Sequence, residues 1–572
     1  SLHDALPILL KYDGCHTQRQ RPSENMGNDQ GNVPLIHLQR FSLAIFTLCA
    51  VTLAAHDGQH LRCGLFDSDL SERLASLADG RVASRPLLPL TYPSPSGRFL
   101  IHYTVEGPDA VPTVDRDGSG IPDYVEDCGQ YLDHAWRAEI DTMGYSIPPT
   151  DGDEGGSSAI DCYLRDLSKA GSTGSGQYGV TRPSKRLTQV QPERYTTWME
   201  IDNDFSPDDR NVAGQPVFAT FGIEALRVTT AHELHHVIQL GSYGLTTLQQ
   251  MVYEFTATWM EIRVHPDVRD WAAYTSQLLQ SPERWAFSDP QPSNGYMWAW
   301  YGAALYRRSG DAILRRTWER IRENERPFEA LVNACLDNST PLHTMFCDDL
   351  PELYRTGSRG ADNTLMAGAD SLPEIRLTVD EAAAPPALSA SGDLRSFETR
   401  AFRFSVPSIV SPTEPISLGV VLTWPSIADM TNATGARRTF TVTLFDTQND
   451  GANPIDGSLW SIRVEPDDIC YQLVGVNTTR ISGPYPHPVV LDEQERLHVP
   501  VRQAVPGDVA TITVFTPSMI AVETSTVTVS LDGPRIVATW PIPATLSAGI
   551  HLLQVDCAGM TTLHKIVVRR TR

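Results

Sequence analysis

What this chain lacks narrows its role before any motif is read. Positive charge is scarce: 46 lysines and arginines stand against 69 aspartates and glutamates, a net charge of −23. That balance argues against nucleic acid and anionic membranes as partners. Long apolar runs are missing too. FSLAIFTLCAVTLAA, at 41–55, spans fifteen residues, short of the roughly 20 that a membrane-spanning helix needs. It suits the core of a signal peptide that starts at Met26 and is cleaved near Ala54–Ala55, the alternative being an N-terminal anchor. No other stretch could span a bilayer, so the mature protein is expected to be exported, without stable membrane insertion. Cysteine pairs of metal-binding spacing are also absent. None of the nine cysteines forms a C-x-x-C, and Cys15 and Cys49 precede the cleavage point. The remaining seven read as disulfide formers. Cys335–Cys347, Cys128–Cys162 and Cys470–Cys557 are candidate pairs, with Cys63 left over.

What is present centres on residues 232–236, His-Glu-Leu-His-His. On a helix, His232 and His236 lie one above the other on one face, so both imidazoles can reach one Zn²⁺ with Glu233 beside it. Apolar residues at Ile223, Leu226, Ala231, Leu234, Val237 and Ile238 support a helix over Phe221–Leu240, capped by Gly241. His235 points about 100° away from His236, which makes it a supporting or surface residue and not a ligand.

A second helix is read from about Thr247 to Val264, stopped by Pro266. It carries Glu254, 18 positions after His236. A carboxylate on so apolar a helix needs a partner, and a zinc ion held by the preceding helix would supply one. Glu261 shares its face, either orienting a ligand histidine or pairing with an arginine, and is the rival third ligand. A metzincin arrangement requires glycine at 239 and histidine at 242, where this chain has Gln239 and Ser242. Two histidines and one glutamate leave the fourth zinc position open for water.

The segments VTTAHELHHVIQLG and YEFTATWMEIR resemble the secreted bacterial gluzincin-type zinc metalloproteases of the thermolysin-like clan, with their E-x-T-A-x-W-M-E second helix. FLIHY at 99–103, the loop GSGIPDYVE and YGAALYRR at 301–308 extend the likeness over roughly residues 96–320. The resemblance implies His232, His236 and Glu254 as zinc ligands, Glu233 as general base, and a downstream tyrosine or histidine as oxyanion donor. Tyr301 is the first candidate for that donor and Tyr296 the second. By analogy with the fold, YTTWMEID (195–202) is an edge strand that could hold the substrate backbone.

DRDGSGIPDYVE, at 115–126, fits a twelve-residue calcium loop: Asp115, Asp117, Ser119, Ile121 through its carbonyl, Asp123 and Glu126 fall at the ligand positions. The simpler alternative is an Asp/Gly-rich turn.

The fold class is therefore expected to be multidomain α+β. A zincin-like metalloprotease domain over 96–380, with a small strand-containing N-lobe and a helical zinc-binding part, is followed by one or two β-sandwich domains. Residues 1–25 are irregular, 26–55 the signal peptide, 56–95 a linker or pro-segment, and 381–395 a proline- and small-residue linker. Strand-like segments then fill 396–495 and 496–572. The expected activity is that of a secreted zinc endopeptidase on peptides or proteins, with Zn²⁺ and a structural Ca²⁺, the β domains contacting a surface or glycan. The alternatives are a non-catalytic adhesion protein with a degenerate protease domain, and a protease limited to self-processing.

Overall fold

The computed structural model describes residues 62–570, apart from residue 172 and the stretches 383–386, 407–415, 447–459, 476–488, 492–495, 502–506, 517–519, 533–534, 544 and 558–559. The expected signal peptide and the start of the 56–95 segment lie outside the described residues.

The chain is a mixed α+β protein with several sheets. Its N-terminal part holds helix α1 (Leu70–Ala78) and a five-stranded sheet. The strands are β1 (Leu90–Pro93), β2 (Phe99–Tyr103), β3 (Ile160–Arg165), β4 (Gly179–Arg186) and β5 (Tyr195–Asp202), in the order β1-β2-β3-β5-β4. β2, β3 and β5 run parallel, and the two outer strands pair antiparallel. Helix α2 (Asp123–Trp136) lies on the sequence between β2 and β3, the crossover that a parallel pair requires.

The expectation that 195–202 is an edge strand is overturned. β5 lies between β3 and β4, and all eight of its residues are buried. Its carboxylates survive burial because they are partnered: Glu200 pairs with Arg165 at 2.7 Å and with Arg182, and Asp202 accepts the amides of Leu167 and Phe205. The edge belongs to β4, whose Pro183 sits beside a bulge, where a missing N–H is tolerated.

The middle of the chain is helical. Its helices include α3 (Gly222–Ile238), α4 (Met251–Val264), α5 (Trp271–Gln280), α6 (Pro292–Trp298), α7 (Gly302–Ser309) and α8 (Ala312–Arg322). α3 does not stop at Gly241. It widens into a π turn over Gln239–Tyr243, and the chain leaves it at Gly244, whose φ of 116° suits glycine. One apolar cluster, including Phe99, Leu226, Phe255 and Trp318, joins the sheet to these helices.

Beyond the helices the chain is β. Two sheets, one of three strands and one of four, bury a common core that includes Phe402, Val420, Phe440 and Ile462. A seven-stranded sheet follows, with its own core around Ile512, Trp540 and Leu553. The expected linker at 381–395 is largely strand: Val379–Ala382 and Ala387–Arg395 both pair. Small residues serve there because Ser389 and Ser391 meet Thr443 and Thr441 across the ladder. Among the described residues, no helix is long and apolar enough to cross a membrane.

The disulfide expectation also changes. Cys347 is bonded to Cys470, not to Cys335, and ties the helical part to the first β unit across 123 residues of sequence. Cys335 is free and buried, and Cys557 is buried with no bond to Cys470. Cys128 and Cys162 are close neighbours, with sulfurs 3.9 Å apart, but are not bonded. Closing so long a loop restricts the unfolded chain. Cys347→Ser should lower stability by about 2–4 kcal/mol, read as a fall in Tm, with metal content unchanged.

Candidate metal centre

Helix α3 is not the one-sided amphipathic helix that its spacing suggests. From Val228 to Ile238 every residue is buried. A helix buried on all sides must partner each polar side chain it carries, and those partnerships define the site.

His232 and His236 each commit their Nδ1. His232 Nδ1 lies 2.6 Å from Glu261 Oε1, and His236 Nδ1 lies 2.6 Å from Gln239 Oε1. The Gln239 amide is itself fixed, because its Nε2 donates to the Tyr253 carbonyl at 3.1 Å and to Thr256 Oγ1 at 3.0 Å. Its oxygen must therefore face His236. With both Nδ1–H groups donated outward, neutral imidazoles turn their Nε2 lone pairs inward. The two Nε2 atoms are 3.0 Å apart, and Glu254 Oε2 lies 3.2 Å from one and 3.5 Å from the other. Glu254 is fully buried, and neither carboxylate oxygen has a hydrogen-bond partner. Lone pairs and a carboxylate aimed at one point repel each other unless a cation lies among them. Tetrahedral zinc with bonds of about 2.1 Å would separate its ligands by roughly 3.4 Å, so this donor set fits zinc.

Glu254 reaches this point because α4 packs tightly against α6. A Cβ on Gly295 would meet the Phe255 backbone nitrogen at 2.4 Å and Glu254 Cβ at 2.7 Å. Only glycine allows that approach.

In the metal-free chain the same geometry stores a proton. Burial alone would lower the pKa of His232, but Glu254 and Glu261 together push it up to about 10. Burial would raise Glu254, yet the charges and contacts of the two imidazoles bring it down to about 2.

A fourth donor completes the cluster. Cys63 Sγ falls in the same group as His232, His236 and Glu254, with all four donor atoms within 4.8 Å of one another. Cys63 is buried, and its sulfur lies 3.8 Å from Glu233 Oε2. Glu233 is held by Thr181 Oγ1, 2.8 Å from its Oε2. It fits under β4 because position 179 has no side chain: a Cβ there would meet Glu233 Oε1 at 2.8 Å.

The two candidate tyrosines exchange rank. Tyr301 packs among Phe287, Trp300 and Phe346, and its hydroxyl has no hydrogen-bond partner. Tyr296 is the one at the centre, stacked beside His232 with ring centroids 6.1 Å apart and accepting the Cys63 amide at 3.1 Å. Burial, then the charge on Glu254, pushes its phenol well up, so it remains a donor. The reason is local: a short turn at Ala299–Tyr301 separates α6 from the following helix and rotates Tyr301 into the apolar core.

Glu261 stands outside the group of converging donors. It orients His232 and pairs with Arg62 at 2.6 Å. His235 is wholly buried and not on the surface, its Nδ1 2.7 Å from Glu139 Oε2. Burial drives the His235 pKa down and that of Glu139 up.

The calcium loop is gathered only in part. Asp115, Asp117 and Asp123 come together, whereas Glu126 stands outside that group. Asp115 already accepts the amides of Gly118, Ser119 and Gly120, and Ser119 donates to the carbonyl of Ile121 at 3.3 Å. A second acidic group, Asp202, Asp204 and Asp209, escapes the sequence pattern because its members follow no motif spacing. Cys63 and Arg62 escape it for another reason: they lie more than 160 residues from the histidines, and the only signal is an unpaired cysteine.

Comparisons of the chain with protein-family models, with curated proteins and with solved structures returned no match.

Metal binding should respond to both carboxylates and to pH. Glu254→Gln should remove tight zinc binding, and Glu261→Gln should weaken it by about 10–100-fold, both read by competition with a chelating dye. Because a metal must expel the His232 proton, the zinc affinity of the Cys63→Ala form should rise about tenfold per pH unit between about pH 6 and 8, and a flat profile would contradict the proton-storing arrangement.

Proposed function

We propose that this chain is an exported zinc endopeptidase of gluzincin type, with a zincin-like fold over roughly 96–380. The observation that carries the reading is the convergence of two imidazole lone pairs and an unpartnered buried carboxylate, with Glu233 beside them. His232, His236 and Glu254 would hold the metal. Zinc bound there supplies Lewis acidity, polarising a carbonyl and lowering the pKa of water towards about 7.

The chain's own residues do the rest. Glu233, fixed by Thr181, accepts a proton from the attacking water and returns it to the leaving amine nitrogen. Tyr296 keeps its proton and lies beside His232, where its hydroxyl can donate to the oxygen that gains charge. Edge strand β4 offers backbone groups for an extended peptide. Export is supported by the apolar run at 41–55 and by the Cys347–Cys470 bond. A structural calcium ion would rest on Asp115, Asp117 and Asp123 alone.

The test is cleavage of a mixed peptide library by the zinc-loaded chain and by its Cys63→Ala form, each compared with the same protein carrying Glu233→Gln. Glu233→Gln should remove about 10²–10⁴-fold of the rate while leaving bound zinc in place. Folded, zinc-loaded protein that cuts nothing in either background would sink the enzyme reading in favour of a binding protein. Tyr296→Phe should cost about 10²–10³-fold in kcat with KM little changed, whereas Tyr301→Phe should behave as wild type.

A further inference from the structure

We infer that Arg62, Cys63 and Gly64 occupy this chain's own substrate site, with the Cys63 thiolate as the fourth metal ligand and Arg62 in a side-chain pocket, so that the chain containing them is latent. The inference rests on the metalloprotease reading.

The sulfur is placed with the three other donors, and the backbone on either side is bound as an extended peptide would be. Tyr178 donates its amide to the Arg62 carbonyl at 2.8 Å, and Gly64 donates to the Gly179 carbonyl at 3.1 Å. Cys63 pairs with Gly179 in a parallel bridge on the free edge of β4. Its amide uses the hydroxyl of Tyr296, and its sulfur lies beside Glu233. The segment thus covers the edge strand, the general base and the oxyanion donor together.

A closed four-ligand set is the ordinary mark of a structural zinc site. Such a site needs neither a carboxylate base beside the sulfur nor a hydroxyl over the amide, and both are here.

The Arg62 guanidinium is buried against Glu261 at 2.6 Å and Asp270, over the ring of Tyr178 at 4.2 Å. If the segment leaves, Glu261 and Asp270 lose their cation in a buried pocket, which is unfavourable. An arginine side chain of a substrate would restore it. The freed enzyme should therefore select arginine near the scissile bond.

Release needs no redox chemistry. The Cys63 sulfur would leave the metal, water would take its place, and the thiolate would gain a proton. A site for the triggering cut is visible: residues 79–82, after α1, are all exposed, and Val82 is 52% exposed. A cut there severs the covalent link between the cysteine segment and the sheet.

The experiment loads the full-length chain with Co²⁺ and records its near-ultraviolet and visible spectrum, in wild type, Cys63→Ser and Cys63→Ala, alongside peptide cleavage. A thiolate-to-cobalt charge-transfer band in wild type that is lost in both variants, with Co²⁺ still bound, is the expected result. Cleavage should rise about 100-fold in the variants, as for a competent state raised from near 1%, with arginine enriched at the cut sites. Cobalt bound without the band overturns the proposal and leaves the metalloprotease reading standing. A band whose loss destroys metal binding and brings no rise in cleavage makes the site structural and also overturns it. No cobalt binding at all removes both readings. Cleavage without arginine preference overturns the pocket assignment.

Discussion

Two imidazoles present lone pairs to each other at 3.0 Å, and a buried carboxylate without a hydrogen-bond donor faces both. Without a cation among them, either a metal ion or the proton held on His232, these groups repel one another, and the fold has to hold them together. It does so by fixing the far side of each ring: Glu261 on α4 takes one Nδ1–H and Gln239, in the π turn, takes the other. Gln239 is locked in turn by Tyr253 and Thr256. The wider turn therefore has a local purpose, since it brings Gln239 under His236 while its amide reaches α4.

The packing around α3 and α4 arises from the same demand. From Val228 onward in α3 and up to Glu261 in α4 every residue is buried, so the orientation of their polar side chains there is settled by protein partners and not by solvent. His235 and Glu139 cross-link α3 to the turn after α2 through a fully buried hydrogen bond. The sheet approaches α3 from the opposite side, with Thr181 of β4 reaching Glu233.

Much of this was legible in the sequence because helical spacing is a strong constraint. His232, Glu233, His236 and Glu254 come together as their positions on two consecutive helices imply, and α+β followed by β-rich segments is the architecture found. What failed were inferences in which period or order says nothing of neighbours. YTTWMEID alternates like an edge strand but lies inside the sheet, since its polar residues find buried partners. Tyr301 and Tyr296 are five apart, and only the turn between them decides which one faces the histidines. The disulfide joins Cys347 to Cys470 through tertiary approach that no loop-length argument could rank. Cys63 belongs to a stretch without hydrophobic period, so its place in the cluster depends wholly on the edge of β4 being free.

Gly179 meets three separate requirements at once. It must lack a side chain for Glu233 to fit, its carbonyl receives Gly64, and it pairs with Cys63. No other residue type satisfies the first of these, and moving the strand by one residue would fail the other two. A position so constrained tolerates little substitution. A glycine 53 residues before an HExxH (232 − 179), together with an upstream Arg-Cys-Gly and a glutamate 18 residues beyond the second histidine, is thus a spaced signature. It offers a way to recognise distant kin of this chain whose overall sequences have diverged beyond alignment.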